Sequence, residues 1–213
     1  MEITLGPVMV GKPQPFRGDE RSSISKYRTH GPVRIGPGGM AGDEQADKAN
    51  HGGAEMAIHH YPRDHYASWE KELDGHELLA RPGAFGENIS TLGLTEEIIC
   101  IGDRLRIGSA VVEVSQGRTP CWKIDHKFGR KGITRRIVET GRCGWYYRVL
   151  VPGMVTEGDR IDVIERGYGD WSVARVFALL VAGKAPKPGE MKDLSKLVAL
   201  SEAWRKMARA KLD

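Results

Sequence analysis

A chain of 213 residues, 40% hydrophobic and 28% charged, is long enough to bury a full core and has the composition of an ordinary soluble globular protein, with room for one main domain and a small appendage. Its 32 basic and 28 acidic residues leave a net charge of +4, a mild balance that suits a small anionic ligand as well as nucleic acid. No run approaches the roughly 20 apolar residues of a membrane span, Met1-Glu2-Ile3-Thr4 lacks the start of a signal peptide, and the expected location is the cytoplasm.

The 27 glycines point to turns and a β-rich body. In chain order, Ile3–Leu5, Val8–Val10, Ser23–Ser25 and Val33–Ile35 are short runs parted by Gly and Pro and predict strands. Gly36–Asp43 is too rich in glycine for a helix interior and, with the polar stretch Glu44–Asn50, predicts a loop able to close over a ligand. Pro62, followed by Tyr66, Trp69, Glu70 and Leu73 at helical spacing, predicts a helix near 62–73. Asn88–Thr91, Ile98–Ile101, Arg104–Ile107 and Ala110–Ser115 are strand-like, the last two joined by Gly108-Ser109 as a hairpin.

Ile133–Thr140 predicts a short helix that stops at Gly141, and Trp145–Val151 and Arg160–Ile164 return to strand alternation. Beyond Ser172 the apolar residues fall three and four apart: Val173, Val176, Phe177 and Leu180; then Leu194, Leu197 and Val198; then Trp204, Met207 and Leu212. Asp193 and Ser201 are candidate caps for the second and third helices, and Pro186 and Pro188 part the first from the second. The expected fold is mainly β with helices: a β-barrel body over residues 1–167 and a three-helix unit over 168–213.

Three widely separated cysteines suggest neither a disulfide framework nor a paired zinc site. Cys100 lies in the apolar run Glu97–Ile101 and reads as core; Cys143 lies in a glycine turn and reads as structural. Cys121 differs. An apolar strand from Val111 runs into Gly117-Arg118-Thr119-Pro120, where the proline turns the chain out of regular pairing just before the thiol. Arg118, Lys123 and His126 surround it with positive charge, which favours thiolate, a soft metal ligand or a nucleophile.

A second constellation is His51-Gly52-Gly53 with His59-His60-Tyr61-Pro62-Arg63. Paired glycines let the backbone approach an anion, and Lys48, His51 and Arg63 supply charge, a chemistry suited to phosphate. The His51, His59, His60, His65 spacing matches neither a zincin helix nor a zinc finger. In Gly86-Glu87-Asn88, Asn88 can donate to and accept from a heterocycle edge, and Glu87 could orient a neighbouring base; a satisfied turn asparagine fits the same letters. Neither a Walker sequence nor the dinucleotide glycine spacing is present, and three cysteines cannot supply the usual four ligands of an iron–sulfur cluster.

Together, His51-Gly52-Gly53, His59-His60-Tyr61-Pro62, Gly86-Glu87-Asn88 and Ser115-Gln116-Gly117-Arg118-Thr119-Pro120-Cys121 resemble the MOSC family, named from the C-terminal domain of molybdenum-cofactor sulfurases, and within it the small bacterial stand-alone branch with three C-terminal helices. The resemblance covers nearly the whole chain. It implies a cytoplasmic oxidoreductase carrying a pterin-bound molybdenum cofactor, with Cys121 as both metal ligand and catalytic residue and with Lys48, His51, Gly52, Gly53, His59, Arg63, Asn88, Gln116, Arg118 and Thr119 around the cofactor. The implied reaction is detoxifying reduction of N-hydroxylated bases such as 6-hydroxylaminopurine. With no flavin, nicotinamide or iron–sulfur fingerprint of its own, the chain is expected to draw electrons from a separate reductase.

The residue after the cysteine is Trp122, where many members of that branch have tyrosine or another aromatic, which leaves substrate shape open. The main rival is a sulfur-carrier module with a persulfide on Cys121; a cysteine hydrolase using Cys121 and His126 lacks a nameable oxyanion site. The basic tail Arg205–Lys211 reads as a solvated helix face rather than a stable nucleic-acid site. The helices after Trp171 are expected to serve docking or homodimerisation and not to build the site.

Overall fold

The computed structural model describes residues 2–47 and 52–212. Its strands are β1 (Ile3–Thr4), β2 (Met9–Val10), β3 (Gln14–Arg17), β4 (Glu20–Ser22), β5 (Tyr27–Arg28), β6 (Val33–Gly36), β7 (Gly39–Met40), β8 (Ile58–His60), β9 (Arg104–Ile107), β10 (Ala110–Gly117), β11 (Trp145–Val151), β12 (Gly153–Val155) and β13 (Arg160–Glu165). The helices are α1 (Tyr66–Glu72), α2 (Lys123–Lys127), α3 (Ile133–Thr140), α4 (Val173–Leu180), α5 (Glu190–Lys196) and α6 (Glu202–Arg209).

Six strands form one antiparallel sheet in the order β1-β13-β9-β10-β11-β8, curled into a half-barrel beside the smaller sheet β12-β6-β7. Alternation explains the flanking strands: Leu105 and Ile107 of β9 point inward while Arg106 faces water, and Trp145, Tyr147 and Val149 do the same along β11. The central strand β10 is instead buried without a break from Val112 to Gly117, because both of its faces are covered. The C-terminal helices supply the outer cover. Ser201 donates its N–H to Ser115 O at 2.9 Å, and the Trp204 ring lies so close to Gly117 that a Cβ there would meet it at 2.8 Å.

The three-helix unit follows from its sequence. Ser172 caps α4 through the Arg175 N–H and Ser201 caps α6 through the Trp204 N–H. The middle helix departs from expectation: it opens at Gly189, which takes a left-handed conformation (φ 88°), and Asp193 falls inside the helix rather than at its cap. The predicted helix at 62–73 is a short 3-10 turn running into α1.

Other departures have local causes. Ser23–Ser25 is not a strand; β4 ends at Ser22, pairing with β3 in a hairpin too polar for apolar alternation to reveal. Ile98–Ile101 is a turn, held by Asp103, whose Oδ2 accepts from Cys100 N at 3.0 Å. Asn88–Thr91 forms no regular strand and is fastened by single backbone bonds, Ile89 N to His59 O and Tyr61 N to Ile89 O. Among the described residues, no helix is long and apolar enough to cross a membrane.

Candidate functional site

The segment Gly117–Lys123 leaves the end of β10 and turns at Pro120 into α2. Arg118 stays tied to the sheet, its N–H donating to Gly144 O at 3.0 Å. The next residues swing outward. Cys121 thereby reaches the wall of a cavity that opens to solvent.

Four stretches distant in sequence complete that wall. Ser22 ends β4 and Ser23 and Ile24 follow it; Asp43–Asp47 and Gly52 come from the glycine-rich loop; His59 lies on β8; Gly86 and Asn88 come from the turn before Ile89. Lys26, Met56, Arg118, Lys123 and Tyr146 also face it. Of the eleven residues expected at the metal and cofactor, the fold therefore brings together five: Gly52, His59, Asn88, Arg118 and Cys121. Lys48 and His51 lie outside the described residues.

The remaining four do not line the cavity. Gly53 opens a 3-10 turn that accepts from Met56 N at 3.0 Å. Arg63 lies over the Tyr66 ring, 4.0 Å from its centroid. Gln116 is buried in β10 at an irregularity in the β10–β11 pairing, and Thr119 is exposed beside Pro120.

Asn88 is fixed at both ends of its amide. Its Oδ1 accepts from His59 N at 3.0 Å, while Nδ2 donates to Met9 O at 3.1 Å and to Asp43 Oδ2 at 2.9 Å. Asp43 also accepts from Gly11 N at 2.7 Å and pairs with the buried ammonium of Lys26. Glu87 is fully buried and holds its own turn, accepting from Gly83 N at 2.6 Å, from Phe85 N at 3.0 Å and from the Tyr66 hydroxyl. Its place is thus beneath the cavity wall and not on a base. Gly86, at φ 79°, packs so tightly on Ile24 that a Cβ would meet Ile24 Cγ1 at 2.8 Å.

Electrostatics divide the wall into charged and neutral polar groups. Burial pushes the Lys26 ammonium down and Asp43 opposes that shift. Burial also lowers Lys127 to about 8, with Glu87 opposing; this ammonium ties Ile24 O to Gly83 O just behind the wall. His59 is held well below the ordinary imidazole range by burial and next by the Arg118 charge, so it is neutral near pH 7. Burial raises the Tyr146 phenol, opposed by Arg118, and its ring centroid lies 5.1 Å from that of His59. Next door, His60 is pushed down to about 3 by burial and is satisfied by Tyr147 Oη at 3.0 Å and Thr91 Oγ1 at 2.9 Å, a core histidine.

Three buried polar atoms of the wall find no hydrogen-bond partner among the described residues: Ser23 Oγ, His59 Nε2 and Arg118 Nη1. Such atoms are costly unless something polar meets them. Cys121 is the cysteine at the cavity, whereas Cys143 is fully buried and Cys100 packs against the turn at Gly169. Burial raises both of those thiols. Among the described residues, no three His, Cys, Asp or Glu side chains are placed to hold a metal ion.

Comparison with known proteins is consistent along the chain. Residues 47–162 match the MOSC domain and residues 171–213 match the YiiM-like, 3-alpha helix domain. Protein YiiM of Escherichia coli strain K12 is 41% identical over 160 residues, covering 75% of this chain and 71% of that one. A protein of Gibberella moniliformis named a reductase is 41% identical over 183 residues, 85% of this chain but 32% of its own length. The crystal structure of YiiM from Geobacillus stearothermophilus superposes with a TM-score of 0.81 at 32% identity, covering 99% of this chain and all of that one. The chain belongs to the MOSC domain family, in the stand-alone bacterial branch that joins this domain to a YiiM-like three-helix unit.

Proposed function

We propose that the protein is a cytoplasmic, molybdenum-cofactor-dependent reductase of N-hydroxylated compounds such as 6-hydroxylaminopurine, supplied with electrons by a separate reductase. The observation that carries this reading is the cavity itself: Cys121 shares its lining with three buried polar atoms that have no hydrogen-bond partner among the described residues. Membership of the MOSC family supports the cofactor, and kinship to a fungal protein named a reductase supports the redox half.

The residues present suit such a group. Cys121 offers a soft sulfur ligand. Arg118 Nη1 and Ser23 Oγ offer donors to anionic or acceptor edges, and the neutral His59 and Tyr146 add hydrogen-bonding capacity without net charge. Asn88 is spent on His59, Met9 and Asp43, so its contribution is to hold the wall in shape. Gly53, Gln116 and Thr119 act through the turn and strand that present their neighbours.

When bound there, a pterin-dithiolene molybdenum centre supplies two-electron redox chemistry. The overall change breaks one N–O bond: hydroxylamine, two electrons and two protons give the amine and water. The polypeptide must bind the substrate and exclude competing water, and the recessed wall of His59, Tyr146 and Met56 is suited to both.

The test compares Cys121→Ser, Cys100→Ser and Cys143→Ser, each made in a molybdenum-replete host, for bound molybdenum, thermal unfolding and reduction of 6-hydroxylaminopurine with a supplied donor. Cys121→Ser should stay folded and lose essentially all activity, because a hydroxyl is a hard ligand that stays protonated near neutral pH. Cys143→Ser should lose stability, since it places a hydroxyl where the thiol is fully buried. A folded, fully active Cys121→Ser protein sinks the proposal. Protein without molybdenum that carries a persulfide on Cys121 would replace it with the sulfur-carrier reading.

A further inference from the structure

Five tryptophans are present, and four of them, Trp69, Trp145, Trp171 and Trp204, are buried, whereas Trp122 keeps 40% of its surface in water. A large exposed aromatic is the informative exception to core packing. Trp122 stands between Cys121 and Lys123, both of which line the cavity, although its own side chain is not part of that lining, and it is held in place rather than loose. The Arg17 guanidinium lies 5.3 Å from its ring centroid. Phe16 and His126 each approach to 6.0 Å between centroids, tilted at 52° and 61°.

Those neighbours are themselves fastened. His126 Nε2 lies 3.0 Å from Phe16 O, and the two rings meet edge to face at 4.7 Å. Phe16 and Arg17 belong to β3, in a hairpin that contributes little to the core and whose second strand leads straight into the cavity residues Ser22, Ser23 and Ile24. The hairpin and the Cys121 turn thus form one continuous rim. Neither neighbouring ring lies parallel to the indole, so the aromatic contacts are made by tilted edges.

We propose that Trp122, steadied by Arg17 and Phe16 beside the Cys121 cavity, is the stacking face of a subsite for a planar nitrogen heterocycle, and that it selects aromatic over aliphatic N-hydroxylated substrates. The inference rests on the reductase reading for its substrate, though not for the binding itself. A rigid indole face receives any flat ring with little dependence on its identity, and the Arg17 guanidinium over the ring holds the indole in place. An aliphatic hydroxylamine offers no flat ring to stack.

The test uses the protein as purified with its cofactor, and Trp122→Ala and Trp122→Phe beside the wild type. Titration calorimetry with adenine, the amine expected from 6-hydroxylaminopurine, should show affinity falling about tenfold in Trp122→Ala and no more than about threefold in Trp122→Phe, which keeps a ring. The ratio of kcat/KM for 6-hydroxylaminopurine to that for N-methylhydroxylamine should fall by about the same factors. Absence of adenine binding by the wild type, or equal affinity in Trp122→Ala, would overturn the proposal. So would a rate lost alike for both hydroxylamines at unchanged adenine affinity, which would assign Trp122 to docking of the electron donor. If the wild type reduces neither hydroxylamine while adenine binding still depends on Trp122, the reductase reading fails and the subsite stands.

Discussion

Asp43 joins three parts of the chain through one carboxylate: Gly11 by its backbone N–H, Asn88 by its amide, and Lys26 by an ion pair whose side chains are 2% and 7% exposed. Removing one partner of a buried pair leaves the other charge uncompensated, so Asp43→Ala should cost about 3–5 kcal/mol in urea unfolding. The double variant Asp43→Ala/Lys26→Met should recover part of that loss, because the stranded ammonium is gone; additive losses would refute the coupling. Sequence exposed only one side of this arrangement. Cys121 and Arg118 announce themselves through a proline turn and clustered charge, whereas Lys26, Asp43 and Tyr146 meet their partners only through the fold and carry no local signature. Arg63 shows the converse: its neighbours suggest an anion site, yet the local turn lays its guanidinium on Tyr66, outside the cavity lining.

At the scale of elements, long runs with clear alternation or helical spacing were legible: β9, β10, β11, β13, α3, α4 and α6 stand where pattern placed them, within a few residues, while α5 starts four residues earlier than a cap at Asp193 would have it. What escaped was short or polar, such as the β3–β4 hairpin and α2, whose five residues Lys123–Lys127 offer one apolar side chain, Ile124, to a core. The expected independence of the C-terminal unit also meets a physical obstacle. No described residue after 146 lines the cavity, but Trp204 rests on Gly117, the residue from which the chain departs toward Cys121. Trp204→Ala should therefore cost about 3–5 kcal/mol, as for other large aromatic truncations in a core, and should lower bound molybdenum as well. Thermal unfolding and elemental analysis of one preparation check both; a large loss of stability with full molybdenum content would confine the helices to a structural role. A chain ended near Gly169 uncovers the outer face of β10 and is expected to be insoluble.

Across the whole molecule, pH links the core to the site because β8 carries two buried histidines side by side, His59 in the cavity wall and His60 in the interior. Both have folded values below the ordinary imidazole range, His60 at about 3 through burial and His59 lowered through burial and then Arg118. The unfolded chain therefore binds these protons first. Stability from the neutral histidines is fully present above about pH 6.5 and is lost as pH falls toward the folded values, at up to about 1.4 kcal/mol per pH unit for each group. Glu72, Glu190 and Glu202 are shifted the other way from ordinary carboxylates, chiefly by hydrogen bonds from Arg136, Arg175 and Arg209, so their own losses begin only below the carboxylate value of 4.5. The interval between about 6.5 and 4.5 is then governed mainly by the histidines. His60→Gln keeps one donor and one acceptor for Tyr147 and Thr91 but cannot take up the proton. Urea unfolding at steps through that interval should show the wild type weakening more steeply than His60→Gln, by about one proton's worth of slope. Equal slopes would mean that His60 titrates alike in both states, and the steep acid loss would have to be sought elsewhere in the fold.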